Sequence, residues 1–262
     1  MMKKLSMRLL RLAITLAAVF ALSNLYAIEI FKAIQQGDLE KLQQVIPPGK
    51  VDCYVLNDSE TPLCYAIKCN NLAMVRALVE EHGADVNVNA NSLSPLMCAA
   101  TFGTLPIVQF LVEQNADLDK TRPGYHNYTA LCQALVSHLV DDAYDIARFL
   151  INAGTSMNWV GDGQNLLMLA NTKGAPLDIL QLLINRGADV NYLTPSGCTP
   201  LISVVIPERD PARVRLLIEN GADVNHRHKT FGSALHAAKE MGRIEAANIL
   251  SEAGAEDIPG SN

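Results

Sequence analysis

Apolar residues recur along this chain in short bursts at helical spacing. Met74, Val75, Leu78 and Val79, and later Ile179, Leu180, Leu182, Leu183 and Ile184, each predict the buried side of a short helix. A second helix start precedes each burst, marked by Thr61-Pro62-Leu63, Ser94-Pro95-Leu96, Thr129-Ala130-Leu131, Thr199-Pro200-Leu201 and Ser233-Ala234-Leu235, with the weaker Asn165-Leu166-Leu167 filling the one gap. Successive starts lie 33, 35, 36, 34 and 34 residues apart. A Thr or Ser hydroxyl caps a helix N-terminus, and Pro suits the first helical turn, where its missing N–H costs nothing. Each burst then ends in Gly83-Ala84-Asp85-Val86-Asn87, Asn115-Ala116-Asp117-Leu118-Asp119, Gly154-Thr155-Ser156-Met157-Asn158, Gly187 to Asn191, Gly221 to Asn225, or Gly254-Ala255. Glycine there suits a helix end that needs a left-handed residue. Two markers in one register predict a repeated unit of helix, turn, helix and extended finger.

These residues resemble the ankyrin repeat, whose pattern runs Thr-Pro-Leu-His-x-Ala-Ala, then Gly, an apolar helix and Gly-Ala-Asp-Val-Asn. Only Ser233 to Ala238 carries the family's histidine, at His236; Cys64, Met97, Cys132, Met168 and Ile202 occupy that place in the other units. The resemblance implies an all-α repeat solenoid, with helix-turn-helix units and β-hairpin fingers projecting at right angles to give an L-shaped section. It divides the chain into an N-terminal capping unit at 28–58, five repeats over 59–232 and a C-terminal capping unit at 233–257. The first has Phe31, Ala33, Ile34, Gly37, Leu39, Leu42, Val45 and Ile46 at helical spacing, and the last has Lys239, Glu240, Arg243, Glu245 and Glu252 to face water. The tail 258–262, with Pro259 and Gly260, is expected to be disordered.

Residues 1–27 read as an export signal. Lys3, Lys4, Arg8 and Arg11 precede an apolar run from Leu12 to Leu22, which is too short for the ~20 residues of a membrane span. Cleavage is expected after Ala27, with Ser23 and Ala21 as alternatives. No anchor then remains, and the chain is expected in the periplasm or secreted beyond it. Cleavage would also leave 17 basic residues against 27 acidic ones. That balance argues against nucleic acid or anionic lipid as the main partner.

Candidate chemistry is sparse. Six cysteines invite a disulfide framework. Cys64, Cys69, Cys98 and Cys132 all fall in first helices of units, however, and stacked helices about 8–10 Å apart hold most such pairs out of bridging range, so free, mostly buried thiols are expected. His226 and His228 flank Arg227 and could face one way on a strand, but no third ligand stands near them. The family's histidine braces neighbouring units, which is the role the resemblance implies for His236. His82 and His138 read as exposed, and Asp141-Asp142 as a solvated loop. No nucleophile elbow, phosphate loop or metalloprotease motif occurs, so no catalytic residue, metal or cofactor is expected.

The finger tips carry no packing duty, so unusual residues on them point to binding. The longest finger holds Arg122, Tyr125, His126 and Tyr128; the next holds Trp159, the only tryptophan; then come Tyr192 with Leu193, and Arg227 in a basic finger. Tyr, Trp and Arg are the residues that most often dominate interface energy. The resemblance implies a monomeric, non-catalytic module that binds another protein. Its exported bacterial relatives suggest protection, by stress defence or toxin neutralisation, with a secreted effector or an envelope scaffold as alternatives.

Overall fold

The computed structural model describes residues 25–46, 51–53, 60–88, 93–122, 127–137, 141–207 and 210–261. Residues 1–24, which hold most of the expected export signal, and Tyr125, His126 and His138 lie outside this set. Helices follow one another in pairs: α1 (25–36) with α2 (Leu39–Val45), α3 (Pro62–Lys68) with α4 (Leu72–Arg76), and α5 (Pro95–Phe102) with α6 (Leu105–Glu113). Beyond them come α7 (Ala130–Val136) with α8 (Ala143–Ala153), α9 (Leu166–Thr172) with α10 (Leu177–Asn185), α11 (Pro200–Val205) with α12 (Pro211–Glu219), and α13 (Ala234–Glu240) with α14 (Ile244–Glu252). The chain divides into two compact bodies, one ending at Asp117 and one beginning at Leu118. No helix among the described residues is long and apolar enough to cross a membrane.

The first sequence marker is a set of caps. The side chains of Thr61, Ser94, Thr129, Asn165, Thr199 and Ser233 each accept a hydrogen bond from the backbone N–H three residues on. Asn165 therefore does in the degenerate unit what Thr does elsewhere. The second marker is a helix stop. Gly154, Gly187 and Gly221 have φ of 101°, 96° and 85°, and Asn115 takes the left-handed conformation at 62° where glycine is missing. The residue after each donates back across the turn: Ala116 to Leu111, Thr155 to Leu150, Ala188 to Leu183 and Ala222 to Leu217, all at 3.0–3.3 Å. The accepting leucines are themselves buried, so one residue both closes the helix and fills the core.

The repeated Asp and Asn of the finger bases tie neighbouring fingers together within each body. In the first body Asp52 accepts from the Asp85 N–H at 2.9 Å and Asn87 from Asp117 at 2.8 Å. In the second, Asp119 accepts from Ser156, Asn191 from Asp223 and Asn225 from Glu256, at 2.7–2.9 Å. These side chains are used inside the stack and are not offered to a partner.

Two expectations are corrected. His82 is 6% exposed, not solvated. Its unit holds one residue more between helix and glycine than its neighbours, and the chain absorbs it as a π-helical turn, Ala77–Glu81, so that Ala84 reaches back six residues to Leu78. That extra step carries His82 inward. The tail is likewise ordered through Ser261. Ser233 N–H donates to the Ile258 carbonyl at 2.8 Å, Ser261 N–H to Lys229 at 2.7 Å, and Asp257 bonds both His236 Nδ1 and Lys239 Nζ at 2.8 Å. The tail runs so close to the last finger that a Cβ on Gly260 would lie 2.2 Å from the Thr230 oxygen. Glu256 N–H donates to Asn225 in the same way that Asp223 N–H donates to Asn191 one finger earlier. His236 thus braces the tail.

Candidate protein-binding face

The fingers of the second body differ in what they leave exposed. In the first of them, Arg122 N–H donates to the Tyr128 carbonyl at 3.0 Å. The Tyr128 ring meets Trp159 edge to face, with centroids 5.4 Å apart, and the Trp159 Nε1–H donates to the Asn127 carbonyl at 2.9 Å. Trp159 is only 7% exposed. The expectation of a free aromatic anchor there is corrected: the indole joins two fingers, and its one polar atom is satisfied within the chain. Burial beside Trp159 also pushes the Tyr128 phenol above its ordinary pKa, with the nearby Asp162 charge adding to the shift.

The next finger is a two-residue hairpin. Strands β1 (Val160–Gly161) and β2 (Gln164–Asn165) pair antiparallel around Asp162 and Gly163, which have φ of 53° and 71°. Positive φ at both turn residues matches the twist of a tight hairpin and explains the Asp-Gly sequence. Side chains alternate along it: Trp159 and Gly161 point in, Val160 and Asp162 point out. Val160 is 47% exposed. Strand alternation permits only one of Trp159 and Val160 to face outward, and it is the valine.

The third finger leaves Leu193 51% exposed, beside a half-buried Tyr192. Its own backbone is satisfied by Thr194, which exchanges bonds with Cys198 at 2.8–3.0 Å. Between the second and third fingers lies an open cleft of about 560 Å³, bordered by Asp162, Gln164, Met168, Thr194 and Ser196. The fourth finger exposes Arg227 and Lys229. Its histidines do not converge on a metal: His228 is buried and accepts from the Thr230 and Phe231 N–H groups, while His226 Nε2 contacts the Gly197 carbonyl at 2.9 Å. Among the described residues no group of three or more His, Cys, Asp or Glu is arranged to hold a metal ion.

Charge sharpens the picture. Beyond the finger bases stand Lys120, Arg122, Arg227 and Lys229 against the single carboxylate Asp162, in a chain whose net charge is −6. The tips are basic on an acidic protein.

The repeated caps, stops and fingers agree with a family comparison. The model for ankyrin repeats matches three times, over residues 30–122, 89–161 and 166–258. The chain belongs to the ankyrin-repeat family. Ankyrin repeats are protein-binding modules that in general lack catalysis. This ankyrin-repeat chain is 26% identical over 204 residues to the ankyrin repeat and KH domain-containing protein mask-1 of Caenorhabditis elegans, covering 78% of this chain but 7% of that protein. It is 29% identical over 179 residues to the ankyrin repeat protein YahD of Escherichia coli (strain K12), covering 66% of this chain and 86% of that one. Among solved structures it is similar to a chain from the complex of the predatory endopeptidase Bd0816 of Bdellovibrio bacteriovorus with the immunity protein Bd3460. There the TM-score is 0.62 at 30% identity, covering 74% of this chain and 98% of that one.

Proposed function

We propose that this protein is a monomeric, non-catalytic binder that holds and restrains another protein in the bacterial periplasm, with the tips of the second body's fingers as its contact face. The observation that carries the reading is the exposure of Val160 and Leu193 on successive fingers, with Arg227 and Lys229 exposed on the finger that follows. These residues have no core to fill, and apolar groups ringed by charge are what a specific interface desolvates. The basic tips suit a partner with an acidic face, which they would steer into contact. The restraining role is supported by the similarity to one chain of an endopeptidase–immunity protein complex. Periplasmic action is supported by the basic-then-apolar order of residues 3–22.

The test is capture from periplasmic extract, with the chain from Ile28 onward as bait. The expected result is a protein retained by the wild type at low salt, weakened at high salt, and lost with a Val160→Asp/Leu193→Asp bait that melts normally. Equal retention by both baits would overturn the assignment of the face. Recovery of the native chain only from the cytosol, with Met1 intact, would overturn the location.

A further inference from the structure

Cys64 and Cys98 stand 34 residues apart, one in the first turn of α3 and one midway along α5. Stacked helices keep most cysteine pairs out of reach of each other. This pair is an exception, because the two occupy facing positions in adjoining units of the first body. The Cys98 S–H donates to the Cys64 carbonyl oxygen at 3.7 Å, which seats its sulfur against the Cys64 residue of the adjoining helix. Both are buried, at 4% and 1% exposure. Nearby are the Thr61 hydroxyl and the Lys68 ammonium, the latter 2.6 Å from Glu60.

The two thiols are not equivalent. Donation from Cys98, helped by Thr61, holds the Cys64 thiol below its ordinary pKa against the opposing effect of burial. Cys98, which keeps the shared proton and is buried, is pushed well above its own. The remaining described cysteines lack such a partner thiol: burial pushes Cys132 up to about 11, and also raises exposed Cys69 and half-buried Cys198. The Cys98 S–H is engaged with the Cys64 carbonyl, which leaves the Cys64 sulfur as the one freer to attack.

We propose that Cys64 and Cys98 form a dithiol that hydrogen peroxide oxidises to a disulfide tying α3 to α5. The Cys64 thiolate attacks one peroxide oxygen; the O–O bond breaks, Cys64 becomes a sulfenic acid, and the departing hydroxide takes up the proton Cys64 had lost and leaves as water. Cys98 sulfur then attacks the sulfenic sulfur; the S–O bond breaks, and the second hydroxide leaves as water with the Cys98 proton. Two electrons pass from the thiols to the peroxide. The burial of both sulfurs selects the oxidant by size, since a water-sized peroxide can reach a site that glutathione disulfide cannot enter while the body is folded. This reaction is independent of the finger-tip binding face.

The experiment treats the folded wild-type protein with hydrogen peroxide or, in parallel, with oxidised glutathione. Remaining thiols are then alkylated under denaturing conditions and the peptides mapped without reductant. The expected result is a Cys64–Cys98 cross-linked peptide after peroxide, absent after glutathione disulfide unless urea is present, and accompanied by greater resistance of the oxidised protein to urea. Cys64→Ser and Cys98→Ser should each abolish the cross-link, and Cys69→Ser should keep it. Because the wild-type map is decisive by itself, poor folding of either serine variant does not blunt the test. Alkylation of both Cys64 and Cys98 after peroxide treatment, while Cys69 or Cys198 is oxidised, would overturn the proposal.

Discussion

The finger that carries Trp159 and the finger that carries Leu193 are neighbours in one body, yet the fold uses them in opposite ways. Trp159 is the residue that composition alone marks as an interface anchor. It lies 7% exposed, with its ring on Tyr128 and its N–H on the Asn127 carbonyl. Leu193, an ordinary residue on the list of interface preferences, is 51% exposed, and no hydrogen bond or core contact requires it. Side-chain type shows what a residue can contribute to an interface; what its own fold already takes from it decides what remains. In this protein the tryptophan joins two fingers and the leucine is left to solvent.

The comparison can be broken by measurement. The upper mark is set by the core below the third finger, where Leu183 is fully buried and accepts the Ala188 N–H that ends α10. Leu183→Ala is expected to cost about 2–5 kcal/mol by chemical denaturation. A midpoint that does not move would mean that the repeats are not packed in this register. Next comes Trp159→Ala, which leaves Tyr128 without its edge contact and the Asn127 carbonyl without its donor. A loss of about 2–3 kcal/mol is expected, below the figure for a central aromatic because the site lies at a finger and not between helices. An unchanged melting curve would return Trp159 to the exposed class and erase the contrast. At the lower end, Leu193→Ala is expected to shift stability by less than about 0.5 kcal/mol.

Much of the helical scaffold was legible because one residue type served one physical need at each marker. Thr, Ser or Asn capped, Gly or Asn turned left-handed, and Leu closed the core, so the pattern survived even at Asn165 and Asn115. His82 was misread because a single inserted residue is absorbed by a π turn, and nothing in local composition distinguishes that from a longer loop. The ordered tail was missed for a related reason: Pro259 and Gly260 signal disorder in isolation, whereas here glycine is what lets the tail lie against the Thr230 backbone. At the fingers, the outward position of Leu193 and Arg227 follows from their place in the repeat, while Tyr192 is half-buried. Telling Trp159 from Val160 requires the strand alternation of a two-residue hairpin, which the Asp-Gly turn announces but residue type does not.

The cells in which Trp159 and Leu193 differ most are binding and stability taken together, and the titration of a captured partner against purified variants measures both. Leu193→Asp should bind at least about tenfold more weakly, a loss of roughly 1.4 kcal/mol or more, while its melting temperature stays within error of the wild type. Trp159→Phe, which keeps an aromatic ring but deletes the donor to Asn127, should lower the melting temperature and bind nearly as well once folded. If Leu193→Asp bound with wild-type affinity, the finger tips would not be the contact face, and the central claim would fail.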